Sequence, residues 1–572
     1  MSSLTASHHM APLAQLPGRE PEAGRSLRTF EPPVAETPLP PAPRRRRFQA
    51  RAGWPLTVTS VVVAAAFAAP LLYLLVRNIQ DAADALDVVT SSSAVGPLRR
   101  TLTLAVAVSA SCAALGTAVA WLVTRTDLPL RRVFRVALAL PLVIPSFVGA
   151  LAMVAAFARG GLLDELLGLS SAPRMRGFWA AFVVLTLLSY PYVYLPVAAR
   201  LSTLSPNVEE TARALGRTPL AVFRTVVLPQ TTGAVLAGTL LVFLYVVSDF
   251  GAVSLLRYDT LTTRIDSTRL FDPTTSLALG LLLASVALAV VVLERLASRR
   301  RLHTEAVGAG RRTLQVPLRA WKTPALAFVL AVVGVALAAP VAVLVQWSWR
   351  GLRSDRSSLQ VSPGDVWQPL LNTTGIALVT AVVAIAVVLP VAYLTTRHRS
   401  RLGDATNALV VGGFALPGLV IALALASWVL DAPLIGFLYN SFPLLVLAYV
   451  IHFGAQAMRA SQVAVSGVPR RMDDAARSLG AGRWRRMRTI DVPLMLPGLG
   501  AGAGLVLLST MKELPATLLL APIGFETLAT RIWSATETAS FARAGVSSLV
   551  LIAMSGLLTW MLTIRRLERL DA

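Results

Sequence analysis

Long apolar runs recur along this chain between short polar stretches. Runs of about 20 apolar residues predict membrane-spanning helices. Twelve of them stand near 55–76, 101–124, 133–157, 178–199, 231–256, 275–293, 324–348, 374–396, 406–430, 435–457, 494–519 and 544–564. A basic stretch from Glu294 to Lys322 divides them six and six. The pattern predicts an all-α polytopic membrane protein of two six-helix halves. Its expected organisation is a Pro- and Arg-rich tail at 1–53, a first repeat at 54–298 (core 95–298), a basic linker at 299–322 and a second repeat at 323–572 (core 368–566). The tail, poor in large apolar residues and ending in Arg44-Arg45-Arg46-Arg47, reads as disordered. The first run is too long for the core of a signal peptide and continues past Pro70, so it reads as a retained anchor.

The halves repeat in their polar stretches as well. Glu-Glu-Thr-Ala-Arg-Ala-Leu-Gly from Glu209 to Gly216 returns as Asp-Asp-Ala-Ala-Arg-Ser-Leu-Gly from Asp473 to Gly480, an offset of 264. In both copies a proline, Pro229 or Pro493, follows the glycine by thirteen residues. Asp249 corresponds to Glu513 at the same offset, and Thr260 to Thr527 at 267. Pro97, Thr101 and Pro145 correspond to Pro369, Thr373 and Pro417 at 272. An even number of spans per half makes the halves parallel, related by an axis along the membrane normal, with a pathway expected between them.

Composition agrees with the hydropathy. The 572 residues are 55% hydrophobic and 15% charged, too little charge to clothe a soluble surface of this size. The single cysteine, Cys112, lies inside an apolar run, so no disulfide framework exists. Neither lysine, Lys322 or Lys512, follows the glycine spacing of a phosphate-binding P-loop, so the chain is not itself expected to hydrolyse ATP. The net charge of +23 raises the question of nucleic acid. With the N-terminus inside, 38 of the 53 basic residues fall on cytoplasmic segments and 14 on outer ones. That bias sets the orientation, accounts for most of the charge and leaves nucleic acid without a role. The outer Arg99, Arg100, Arg174 and Arg176 break the bias.

Each repeated loop reads as a short helix, a turn and a second helix. Glu209 and Glu210, like Asp473 and Asp474, favour the dipole at a helix N-terminus. Ala212 and Ala476 keep one helix face narrow. Gly216 and Gly480 permit a turn with positive φ after the helix. The second helix then runs toward Pro229 or Pro493 at the membrane face. A knob of this kind suits a groove on a soluble partner, and its two equal copies favour docking over an ordinary amphipathic loop.

The segments Glu210-Thr211-Ala212 to Gly216 and Asp474-Ala475-Ala476 to Gly480 resemble the coupling-loop motif of permeases in binding-protein-dependent (type I) ABC importers. Thr211 in one copy and Asp474 in the other depart from the family pattern. The resemblance covers nearly everything after residue 95. It implies that each loop docks on one subunit of a cytoplasmic ABC ATPase homodimer, which brings the ATP and magnesium. It further implies an extracytoplasmic solute-binding protein and a multi-pass place in the bacterial plasma (inner) membrane with both termini cytoplasmic. The chain itself would hold no cofactor and no stable metal. Fusion of two halves is similar to permeases for ferric iron and, less closely, thiamine. Ser248-Asp249-Phe250-Gly251 and Lys512-Glu513-Leu514-Pro515 resemble the ferric-iron type.

Among candidate path residues, Asp249 and Glu513 form a pseudo-symmetric carboxylate pair. Intramembrane carboxylates face a cavity or a partner, and their oxygens suit a hard cation; alternatively they pair with Lys512 or cap a broken helix. Tyr190 and Tyr192 read as path phenols or as interfacial anchors. His452 reads as a boundary residue at the cytoplasmic end of its span. Gly498, Gly500, Gly502 and Gly504 read as a helix-packing surface. A secondary transporter of twelve spans also has parallel halves, but needs no matched docking loops. A membrane sensor or scaffold would show no flux.

Overall fold

The computed structural model describes residues 53–167, 175–204, 206–299, 315–353, 361–362, 364–398 and 400–564. The tail, with its arginine run, and most of the linker lie outside the described residues, as do Arg174 and the side chain of Asp473. Among the described residues there is no β-strand, and ten helices are long and apolar enough to span a bilayer.

In the first half these elements are α1 (Trp54–Gln80), α2 (Ser92–Arg125), α3 (Ser146–Ala156), α4 (Phe178–Thr203), α5 (Pro206–Ala214), α6 (Leu228–Ser248), α7 (Gly251–Leu255), α8 (Leu261–Thr268) and α9 (Pro273–Arg299). The second half repeats them as α10 (Arg319–Arg353), α11 (Gly364–Arg397), α12 (Gly418–Asp431), α13 (Phe442–Ser466), α14 (Arg470–Ser478), α15 (Val492–Met511), α16 (Pro515–Leu520), α17 (Leu528–Glu537) and α18 (Phe541–Thr559). The duplication extends to single hydrogen bonds. The Leu261 amide donates to Thr101 Oγ1 at 2.9 Å, and the Leu528 amide to Thr373 Oγ1 at 2.8 Å.

Four predicted runs are not straight spans. The run at 133–157 bends by 93° between Arg131–Val143 and Ser146–Ala156. The run at 406–430 divides into Arg401–Gly412 and α12. Proline cannot donate to a helix and forces the preceding residue into extended backbone. Ile144 and Leu416, before Pro145 and Pro417, accordingly sit at ψ 117 and 126. The runs at 231–256 and 494–519 break after Ser248 and Met511 and resume as the short α7 and α16.

Prolines also explain the π-turns Phe223–Val227, Gly334–Ala338 and Met487–Asp491. Each lies just before Pro229, Pro340 or Pro493. The amides of Leu228, Ala339 and Val492 reach carbonyls five residues back. The wider turn makes room for a ring that would collide with the i−4 carbonyl. Pro229 and Pro493 therefore do not end the second helix of each loop. One helical path runs from Pro219 to Ser248, and another from Arg483 to Met511.

The halves interlock through their first helices. Helix α1 packs on α9 of its own half and on α11 and α12 of the other; the C-terminal part of α10 packs on α3 and α18. A Cβ on Gly454 would lie 2.2 Å from the Phe67 ring, so α1 approaches α13 closely only because that site is glycine. Gly502 meets Ala460, and Gly498 meets Ala464, on α13; the equivalent Gly238 meets the Tyr192–Val193 backbone. Gly500 faces open space, so the small-residue contact uses one face of α15. Exposed apolar residues such as Val62, Val106, Leu330 and Val382 form the outer surface that lipid covers.

Candidate functional site

The two loops form matching knobs. Gly216 and Gly480 have φ of 78 and 73. The amide of Arg217 donates to Ala212 O at 3.2 Å and that of Gly216 to Arg213 O at 2.9 Å. The amides of Ala481 and Gly480 donate to Ala476 O and Arg477 O at 2.9 and 3.0 Å. This paired arrangement satisfies the last carbonyls of α5 and α14 and turns the chain sharply. Ala212 and Ala476 are buried beneath the turn, whereas Glu210, Asp474, Leu215 and Leu479 are exposed.

Glu209 does not face solvent. Its carboxylate pairs with Arg125 at the end of α2 at 2.8 Å, with both side chains almost fully buried. Burial lifts the Glu209 carboxyl above its ordinary range, against the opposing pull of Arg125 and Arg213. Arg125 also lies where the chain enters the second half: the Val316 amide donates to Arg125 O at 2.7 Å. One buried arginine therefore joins the first knob, a spanning helix and the strap ahead of α10. Nothing local in the sequence pairs positions 125 and 209.

Between the halves lies a cavity of about 280 Å³, lined by Tyr192, Tyr245, Ser248 and Asp249 from one half and His452, Gln456, Ser509, Lys512 and Glu513 from the other. Asp249 Oδ1 accepts from the amides of Ala252 and Val253 at 3.0 and 3.3 Å. Glu513 Oε1 accepts from the Ala516 amide at 3.0 Å, and Oε2 from the Thr517 amide at 3.1 Å. The carboxylates thus cap the short helices α7 and α16, where the spans break. Lys512 donates to Leu142 O at 3.2 Å, and among the described residues no ion pair joins it to Glu513.

Two sequence readings change here. Tyr192 lines the cavity, but Tyr190 is fully buried away from it, with its backbone carbonyl packed against Gly116, and so is neither a cavity residue nor an interfacial anchor. Tyr194, also buried, donates to Arg135 O at 2.9 Å. His452 is not a boundary residue: α13 continues to Ser466, which puts His452 mid-helix and on the cavity. Gln456, Tyr245 and Ser509 carried no local signal. Gln456 and Ser509 could have been found as the duplicates of Tyr192 and Tyr245 at the 264 offset.

Residues 112–303 and 388–569 each match the family described as binding-protein-dependent transport system inner membrane component. The chain belongs to that family, which it contains twice. It is similar to the Fe(3+)-transport system permease protein FbpB 2 of Haemophilus influenzae, 29% identical over 528 residues that cover 91% of this chain and 99% of the relative. The sulfate transport system permease protein CysT of Salmonella typhimurium is 32% identical over 167 residues, 29% of this chain and 60% of the relative. The molybdenum transport system permease protein ModB of Mycobacterium tuberculosis is 33% identical over 215 residues, 36% of this chain and 80% of the relative. The protein is a fused two-domain ABC importer permease, embedded as a multi-pass protein in the inner membrane.

Proposed function

We propose that this permease forms the whole membrane path for ferric iron, delivered by an extracytoplasmic binding protein and driven by a separate ATPase. The observation that carries the iron reading is the similarity to a ferric-iron permease along nearly the full length of both chains. The repeats at 54–298 and 323–572, joined by 299–322, enclose the path. Both termini face the cytoplasm, as the charge bias favours. The exposed ends of α5 and α14 dock on the two subunits of an ATPase homodimer, which holds the ATP and magnesium.

The geometry supports a mechanism of alternating access. Each knob is the start of a continuous helical path that ends beside a cavity carboxylate, at Asp249 or Glu513. A helix of about 30 residues is about 45 Å long and moves as a rod. When the ATPase subunits close, the knobs approach each other, and the two rods change the opening at the cavity. The π-turns at the foot of each rod take up the bend. The chain's own contribution is positional; ATP chemistry belongs to the partner.

The test is uptake of radioactive ferric iron by cells with and without this chain, with thiamine as a parallel tracer. Loss of iron uptake alone is the expected result. Loss of thiamine uptake alone would overturn the substrate.

A further inference from the structure

The far end of the path is cationic. A second cavity, of about 640 Å³, lies between the halves, with Arg159, Arg176 and Arg257 on one side and Glu537 and Ala539 on the other. Arg176 lies two residues before the start of α4 at Phe178, and α4 ends at Thr203 beside the knob helix α5, so a full span separates this cavity from the coupling loops. It is the outer vestibule. Three guanidinium groups face one carboxylate, and among the described residues none of the three arginines forms an ion pair.

The backbone holds one of these charges at a cost. Arg257 has φ 51 and Ala539, across the cavity, φ 54; they are two of five non-glycine residues in the left-handed region among those described. Each closes a helix end as glycine normally does, with the Tyr258 amide on Val253 O at 2.9 Å and the Ser540 amide on Ala535 O at 2.7 Å. Glycine would serve this turn with less strain. At Arg257 that strain is kept by a charged side chain that lines the cavity.

One cation also stands further inward, among acids that are already engaged. Lys512 lines the central cavity, where the Asp249 and Glu513 oxygens are already accepting backbone amides. No cluster of three or more His, Cys, Asp or Glu able to hold a metal ion occurs among the described residues. A bare trivalent cation would meet guanidinium at the mouth and, at the centre, an ammonium beside two carboxylates already engaged as helix caps. A ferric ion that carries carboxylate or phosphate ligands would meet the opposite situation. Its charge is neutralised or reversed, and its outer oxygens suit the paired N–H groups of arginine.

We propose that ferric iron enters this path as a complex carrying its own oxyanion ligands, carboxylate or phosphate, and that Arg159, Arg176 and Arg257 form the outer site that receives them. The inference rests on the ferric-iron reading above.

The experiment uses proteoliposomes that hold the full chain with its ATPase, ATP inside and iron-loaded binding protein outside. Radioactive iron is supplied with carbon-labelled citrate in one arm and with radioactive inorganic phosphate in the other. Iron and one labelled anion are expected to enter together in a fixed ratio, and the arm that shows it identifies the oxyanion. Reversing charge with Arg159→Glu and Arg257→Glu is expected to lower iron entry about tenfold, since a cleft of one sign steers its ligand by that order. Arg257→Lys keeps the charge but loses the paired N–H groups, and should lower entry, though less than Arg257→Glu. Arg257→Gly, which suits the observed φ, removes the charge without strain and should lower entry as well. Iron entering with neither anion, or entering faster after charge reversal, overturns the oxyanion site and leaves the iron reading standing. Anion entry without any iron overturns both.

Discussion

Gly418 and Glu513 occupy one space: a Cβ on Gly418 would lie 2.8 Å from Glu513 Oε1. That oxygen is held by the Ala516 amide and cannot simply swing away. The equivalent positions in the first half are Ser146 and Asp249, which meet at the same cavity. A longer acid stands opposite glycine, and a shorter acid opposite serine. Gly418→Ser alone is therefore expected to overpack the site and cost about 1–3 kcal/mol. Adding Glu513→Asp rebuilds the first half's pair and should recover most of that loss. Thermal melting of the two single variants and the double variant checks this; strictly additive losses would refute the exchange of volume.

The caps on α7 and α16 separate charge from hydrogen bonding. Asp249→Asn keeps an acceptor for the Ala252 and Val253 amides, so it should melt within about 0.5 kcal/mol of the parent. Asp249→Ala removes the cap and should cost about 1 kcal/mol, with iron uptake reduced. Uptake abolished by Asn with the melting point unchanged would instead give the negative charge a role in transport.

Breaking the buried pair should be severe. Arg125→Ala or Glu209→Ala leaves an uncompensated charge and is expected to cost about 3 kcal/mol. Co-purification of the ATPase should fall with it, because α5 loses its anchor on α2. The double variant should cost less than the sum of the two.

The same carboxylate predicts a pH dependence. Burial raises the folded pKa of Glu209 above its unfolded value, so the folded state holds the proton more tightly. Its contribution relative to Glu209→Gln is greatest below the unfolded pKa and is lost as pH rises through the folded pKa. Melting of the parent minus that of Glu209→Gln, followed upward from about pH 4, should therefore decline. A difference that grows with pH would mean that the attraction of Arg125 outweighs desolvation.

Gly216→Val and Gly480→Val each place a β-branched residue at positive φ, a strain of about 1–2 kcal/mol. The knobs should lose their turn, and ATPase association should fall in each variant and further in the pair. Undiminished association, read by co-purification, would sink the docking role of the loops.

Much of this protein is legible in one dimension. Hydropathy located ten of its twelve expected spans as helices long enough to cross, because a bilayer imposes a length, and missed the breaks at 133–157 and 406–430. Duplication at near-constant offsets predicted the pairing of halves, the two knobs and the glycine turns, because short-range backbone geometry follows from a few consecutive residues. Tertiary structure alone decided the rest. It placed Glu209 against Arg125, His452 in the cavity rather than at a boundary, Tyr190 in the packed interior, and α1 across the opposite half. Hydropathy counts how apolar a segment is, but not which side of a helix meets a cavity, a neighbour or lipid. The prolines were visible in the chain, yet whether one gives a right-angled break, as at Pro145, or a π-turn, as at Pro229, depends on what packs around it.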